Sequence, residues 1–377
     1  PRYYAVAPKN VIEHAADLIK KAHFPLILLG AGANRQHSRE ALSEFIRTVK
    51  IPFFSTQMGK GVVDESSELF LGTAALSDDD YLHQYIHQAD VIINIGHDVV
   101  EKPPFFMEEH GQTVIHMNYR AAQVDQVYFP QVEIVGDLAL SVQLLLDQLK
   151  DAPPHDLTKF YKVRDHVLEK THEGALDDRF PILPQRLVAD VRSVMGDHDI
   201  IALDNGVYKI WFARNYPAHE PNTVLLDNAL ATMGAGLPSA MMASLLYPER
   251  KVIAICGDGG FMMNSQELET CVRLKLNIVV LVLNDGSYGM IRWKQGGAGF
   301  DDWGLKFGNP NFVDYTNSYG ATGHRLSSAK DLIPMINEAF KTGGTHLIDV
   351  PIDYSQNKRL LIDELRINHR VPSNSKE

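Results

Sequence analysis

Residues 251–284 read KVIAICGDGGFMMNSQELETCVRLKLNIVVLVLN, and Asp285-Gly286-Ser287-Tyr288-Gly289-Met290 follows. Residues 252–256 are an apolar run of strand length, and 278–283 are a second. Between them lie Gly257-Asp258-Gly259-Gly260 and an amphipathic stretch. Glycines on both sides of one aspartate let the backbone turn sharply and come close to a ligand. Asn264 is expected to cap the helix that follows, with Glu267 three residues on completing a capping box. A strand, a helical crossover and a second strand make a parallel pair, so both strands end at the same edge of a sheet. Asp258 and Asp285 are therefore expected to meet there.

That edge suits a phosphorylated ligand. The open N–H groups of a helix start seat phosphate. Two carboxylates, a loop carbonyl, phosphate oxygens and a water complete an oxygen octahedron of the kind Mg²⁺ takes. Without the cation the carboxylates and the anionic ligand would repel one another. A lone Gly-Asp-Gly is more often a surface turn. Here strand, glycine turn, helix, second strand and second acid stand in the order the metal reading requires.

Strand–helix alternation continues on both sides. Residues 25–30 (PLILLG), 51–55, 91–96 (VIINIG), 114–117 and 132–135 read as strands, with helical spacing over 38–49, 80–88 and 138–150. In the second half 200–203, 223–226 and 347–350 join the two strands already named. The expected fold class is α/β, two doubly wound, mostly parallel sheets. Residues 1–150 are expected to form one Rossmann-like domain, and 181–355 a second that carries the edge where Asp258 and Asp285 meet. Residues 151–156 (DAPPHD) and a polar helix near 158–173 make 151–180 a linker. The polar tail 356–377 is either a lid or a frayed end. Gly30-Ala31-Gly32 invites a dinucleotide reading, but Arg35 stands where the third glycine belongs, and a tight strand-to-loop turn is preferred.

A chain of 377 residues suits two domains. Its 45% hydrophobic and 22% charged content is that of a globular protein, and no apolar run reaches the roughly 18 residues that span a bilayer. Pro1-Arg2-Tyr3-Tyr4 is no signal peptide and no initiator Met precedes it, so a fragment or processed chain is expected. A net charge of −11 argues against a nucleic-acid partner. The two cysteines, Cys256 and Cys271, sit in apolar contexts and point to a reducing, cytoplasmic setting. His83 and His87 have no third metal ligand nearby and read as a solvated helix face, while Asp78-Asp79-Asp80 reads as an acid cluster at a helix start.

Taken together these blocks resemble the thiamin diphosphate enzymes of the acetolactate synthase type. The family signature, Gly-Asp-Gly and then an Asn/Asp-rich loop after a helix and strand, is met by Gly257-Asp258-Gly259 and Asn284-Asp285. The resemblance implies that Asp258, the Asp285 side chain and the Ser287 main-chain carbonyl hold Mg²⁺. It places Gly257, Gly259, Gly260, Tyr288 and Gly289 around the cofactor. In residues 230–238 (LATMGAGLP), Met233 would be the wedge that folds thiamin diphosphate into a V, and the Ala231 carbonyl would accept from its 4′-amino group. Residues 204–214 (DNGVYKIWFAR) match the diphosphate-side strand end, with Gly206 carried over. Biosynthetic members show Gly-Gln-His where this chain has Gly206-Val207-Tyr208, which is closer to the catabolic synthases. Backbone amides rather than side chains at 207 and 208 are then expected to meet phosphate. Met263 and Met290 fall where the family lines its substrate pocket. Biosynthetic members place a tryptophan where this chain has Lys294, with Trp293 one position early, so pyruvate is expected as both donor and acceptor.

The first half is similar to the family's central domain through Gly59-Lys60-Gly61-Val62-Val63-Asp64-Glu65 and Val135-Gly136-Asp137. Residues 96–102 and 116–119 lack the acidic pattern of the FAD-binding members, so flavin is not expected. The implied activity is thiamin diphosphate- and Mg-dependent decarboxylation of pyruvate and its ligation to a second pyruvate, giving 2-acetolactate. The resemblance further implies a homodimer or homotetramer acting on pyruvate and related 2-keto acids, with neither nucleic acid nor membrane. No stretch matches the family's N-terminal pyrimidine-binding domain, whose glutamate activates the cofactor, so these residues alone are expected to be inactive. Competing readings are pyruvate oxidase, 2-keto acid decarboxylase, glyoxylate carboligase, or a non-catalytic cofactor-binding module.

Overall fold

The computed structural model describes residues 5–76, 79–97, 101, 107, 111–124, 128–228 and 230–369, without the side chains of 367–369. The chain divides into two compact units, Pro1–Lys170 with Pro217–Asn222, and Thr171–Tyr216 with Thr223–Glu377. Each carries a six-stranded sheet whose paired strands all run parallel, the α/β architecture expected from the alternation.

In the first unit α1 (Lys9–Lys21) precedes β1 (Pro25–Leu29), α2 (Gln36–Val49), β2 (Phe53–Thr56), β3 (Phe70–Ala74) and α3 (His83–Ile86). Then come β4 (Val91–Ile95), β5 (Thr113–Asn118), β6 (Val132–Val135), α4 (Leu138–Leu149) and α5 (Thr158–His172). All residues of β1 and β4 are buried, as parallel strands covered on both faces must be. Ile12, Ala15, Ala16 and Ile19 line the buried face of α1 at helical spacing. Asp137 caps α4 by accepting from the Leu140 N–H. The strand order is β3-β2-β1-β4-β5-β6, so the direction of winding reverses between β1 and β4. That crevice is filled from within. A Cβ on Gly30 would come within 2.5 Å of His97 Cα. The buried Glu101 carboxylate accepts from the Ala31 N–H at 2.9 Å and from the Thr56 hydroxyl at 2.5 Å.

Two expectations change here. α3 spans only His83–Ile86, and His83 is buried, its Nδ1 accepting from the Asp80 N–H, so it does not sit on a solvated face. Asp80 is buried too, with its carboxylate on the Tyr81 N–H, while Asp78 lies outside the described residues. Residues 98–100 and 102 of the loop weighed for flavin, and 370–377 of the tail, also lie outside them.

The second unit runs α6 (Pro184–Val194), β7 (Ile200–Leu203), α7 (Tyr208–Asn215), β8 (Val224–Leu225), α8 (Gly236–Leu246), β9 (Val252–Gly257), α9 (Asp258–Asn264) and α10 (Leu268–Arg273). β10 (Ile278–Asn284), α11 (Gly289–Gly297), α12 (Phe312–Ser318), β11 (Thr322–Arg325), α13 (Leu332–Thr342), β12 (Thr345–Pro351) and α14 (Glu364–His369) complete it. Its order is β11-β12-β10-β9-β7-β8, with the winding reversing between β7 and β9. Open α/β sheets bind ligands beyond the carboxyl ends of the strands at such a reversal. Leu283 pairs with Gly257, which sets Asn284 level with Asp258 and Asp285 one residue beyond. The helix after β9 begins at Asp258, not at Asn264. Gly257 is its extended N-cap and makes no side-chain cap. Residues Ser265–Glu267 form a 3₁₀ turn before α10, so the capping-box pattern marks an interruption rather than a start.

Candidate functional site

Beyond the ends of β7, β9 and β10 opens a cleft. Of the residues expected at a site, Gly206, Met233, Gly257, Asp258, Gly259, Gly260, Asp285, Ser287, Tyr288, Gly289 and Met290 line it together. Ala231 and Met263 do not. Ala231 is exposed on the loop that leads to Met233, and Met263 is 52% exposed on α9. Trp293 and Lys294 are also outside the lining, with the Lys294 ammonium 4.9 Å from the Trp293 ring centre.

Asp258 is buried and closely held. One carboxylate oxygen accepts from the Gly259 N–H at 2.8 Å. The other accepts from the Gly286 N–H at 2.7 Å and from Asn309 Nδ2 at 2.8 Å. The β9 turn is thereby tied directly to the β10 loop. Asn309 also reaches Asn284 Oδ1 at 3.0 Å. Asp285 is held differently, by the Arg292 guanidinium at 2.6 Å. Burial pushes its carboxyl up to about 6, with Arg292 opposing and the Asp258 charge adding to the rise. The Ser287 carbonyl accepts from the Gly289 N–H at 3.0 Å. Among the described residues no group of three or more His, Cys, Asp or Glu side chains is placed to hold a metal.

Asp204 and Lys209 organise the cleft without a role expected from the sequence, and Tyr208 and Asn264 do so in roles other than those expected. Asp204, fully buried at the end of β7, accepts from the Gly234 N–H at 2.8 Å and from the Asn205 N–H at 2.6 Å. Burial lifts its carboxyl to about 6, against the pull of those amides. Gly260 packs against it, and a Cβ there would lie 2.6 Å from Asp204 Oδ2. The signal for Asp204 was the same one that exposed Asp258 and Asp285, an acid directly after an apolar strand. The buried Lys209 ammonium donates to Asn205 Oδ1, the Asp227 carbonyl and Asn228 Oδ1, tying down the chain that enters the Met233 loop. Asn264 reaches the same loop, donating to the Gly234 carbonyl at 2.6 Å. Tyr208 turns its ring against Gly206, and its hydroxyl accepts from the Gly257 N–H at 2.8 Å. Burial raises that phenol well above its usual range, so it stays protonated.

Residues 204–350 match the C-terminal TPP binding domain of the thiamine pyrophosphate enzymes, and residues 12–145 match their central domain. The chain belongs to that family, and its cleft lies in the matched TPP-binding domain. Among named relatives, the acetolactate synthase of Bacillus subtilis (strain 168) is 32% identical over 373 residues, covering 95% of this chain and 64% of that protein. The catabolic acetolactate synthase of Raoultella terrigena is 30% identical over 372 residues, 96% of this chain and 65% of the relative. The acetolactate synthase large subunit of Cyanidium caldarium is 29% identical over 357 residues, 92% and 60%. The chain thus spans a little under two-thirds of the length of these relatives.

Proposed function

We propose that this chain carries the central and cofactor-binding domains of a cytoplasmic acetolactate synthase. The reaction joins two pyruvates with loss of CO₂ to give 2-acetolactate. One observation carries the reading: Asp258 and Asp285 leave adjacent parallel strands and come together on a glycine turn at the reversal of the sheet. The resemblance to synthases named catabolic favours pyruvate as both partners, and a homo-oligomer as the working form.

The donors fit a hard divalent cation, Mg²⁺, because all are oxygens: the two carboxylates and the Ser287 carbonyl. The turn also fits a closely approaching ligand. A Cβ on Gly259 would lie 3.0 Å from the Tyr288 ring, 3.3 Å from Phe307 and 3.4 Å from Met233, filling the space between them. Asp258 arrives already oriented by three N–H donors. Asp285 must exchange Arg292 for the cation. Gly206, Gly257, Gly260 and Gly289 line the diphosphate side, and Met233 is the wedge against which the cofactor bends. Met290, on the lining, borders the substrate; Ala231 and Met263, outside the lining, keep the carbonyl and pocket roles only as the family resemblance assigns them. Bound thiamin diphosphate stabilises the carbanion left when a 2-keto acid loses CO₂. No flavin step is included, because residues 96–102 and 116–119 lack the acidic pattern of the FAD-binding members.

Calorimetry of thiamin diphosphate binding, with Mg²⁺ and then with EDTA, tests the assignment. Binding is expected only with the metal. Equal affinity in both would remove Asp258 and Asp285 as ligands, and a flavin spectrum in the purified protein would overturn the flavin-free reading of the central domain. These residues alone are expected to form no acetolactate from pyruvate. Product formation would show that they hold the full activating machinery.

A further inference from the structure

Tyr354 follows β12, and its ring packs beside Gly289, 3.9 Å from where a Cβ would stand. The side chain lines the cleft. Its hydroxyl is shut off from bulk water and has no hydrogen-bond partner among the described residues. Such a group is costly to leave unmade, and a buried polar atom without a partner asks for an explanation. Asp285, Asp258 and Arg292 are near enough to act on the phenol electrostatically, yet neither carboxylate accepts a hydrogen bond from it and the guanidinium donates none to it. The hydroxyl therefore stands beside the carboxylates without being used by them. Ser287 Oγ, on the same lining, is also enclosed and unpartnered.

Three other buried groups around the ends of these strands are engaged. Asp204, Tyr208 and Lys209 all have partners within the fold. The Tyr354 hydroxyl, like Ser287 Oγ, lines the cleft without such a partner among the described residues. Replacing Arg292 on Asp285 by a divalent cation clears guanidinium from the phenol's surroundings and brings in oxygens that carry negative charge. From this geometry we infer that Tyr354 is a positioning residue whose O–H donates to an anionic oxygen of the loaded metal–diphosphate site. That oxygen belongs either to the metal's own ligand shell or to a phosphoryl group. Ligating carboxylates and bound waters are usually held by such outer donors. The inference rests on the reading of the cleft as a metal–diphosphate site.

Tyr354→Phe removes one oxygen and keeps the ring on Gly289. A merely structural tyrosine would lose stability in this variant. Here the metal-free protein is expected to melt at the same temperature or higher, because an unsatisfied hydroxyl has gone. Mn²⁺ affinity, followed by electron paramagnetic resonance, and thiamin diphosphate affinity in saturating Mn²⁺, followed by calorimetry, complete the test. A hydrogen bond to a charged oxygen predicts a loss of about 10- to 100-fold. Loss in both titrations places the bond on the metal's shell; loss with thiamin diphosphate alone places it on phosphate. Affinities equal to wild type in both, or a destabilised metal-free variant with unchanged affinities, overturn the inference while leaving the cleft's reading intact. A wild-type protein that binds neither Mn²⁺ nor thiamin diphosphate overturns both.

Discussion

Asp204 and Asp285 are both raised to about 6, but their burial serves different ends. Asp285 faces the cleft and an exchangeable guanidinium. Asp204 faces inward, to the amides of the Met233 loop. In both, the folded protein holds its proton more tightly than the unfolded chain does. Between the ordinary carboxyl value of 3.8 and about 6 the folded state therefore binds more protons, and stability falls as pH rises. The contribution is fully present below the lower value and gone above the upper. For Asp204, with no exposed surface, that rise corresponds to about 3 kcal/mol. Asp204→Asn removes the titration and leaves an oxygen for the Gly234 amide. The difference in unfolding free energy, variant minus wild type, is expected to move in the variant's favour by up to about 3 kcal/mol from pH 4 to pH 7.5. Urea titrations across that range measure it. A difference that stays flat with pH would mean that Asp204 is ionised at ordinary cost.

The turn between β9 and α9 shows at the level of elements why glycine is required in one helix and dispensable in another. Alanine is ordinarily the better helix residue by about 1 kcal/mol. In α9 a methyl at Gly260 would meet the immobile Asp204 carboxylate at 2.6 Å, so Gly260→Ala is expected to destabilise by about 1–3 kcal/mol. Gly296 in α11 is exposed with nothing within 4 Å, so Gly296→Ala is expected to stabilise by about 0.5–1 kcal/mol. Thermal melts of the pair check both signs; two shifts of the same sign would break the packing argument. The same contrast marks what could be read from the sequence. The convergence of Asp258 and Asp285 was legible because buried parallel strands are unbroken apolar runs with the acids directly behind them. β11, reading Thr322-Gly323-His324-Arg325, was not, since an edge strand with half-exposed polar residues carries no apolar signal. β3, also an edge, hides its pattern behind Gly72, whose φ is +145°. Asn309 and Arg292 were out of reach for another reason. They meet Asp258 and Asp285 through loop and helix geometry that no local spacing encodes.

Across the whole molecule, two separate cores underlie the two sheets. One gathers residues such as Ile27, Phe45, Ile93 and Ile95, and the other Ile200, Ala254, Phe261 and Val280. The cleft is lined entirely by the second unit. A ligand that binds only the folded form stabilises what must unfold to release it, by about 2.7 kcal/mol at a hundred times its dissociation constant. If each core opens as its own cooperative unit, the gain falls on one sheet alone. Amides in β9 and β10, buried beside the site, are then expected to exchange with deuterium up to about 100-fold more slowly in Mg²⁺ and thiamin diphosphate. Amides in β1 and β4 are expected to keep their rates. Mass spectrometry of peptic fragments after a deuterium pulse resolves the two sheets, and EDTA should abolish the difference. Equal slowing in both sheets would mean that the units unfold as one body and that two cores do not make two cooperative units. Slowing in the first sheet alone would put the ligand somewhere other than between Asp258 and Asp285.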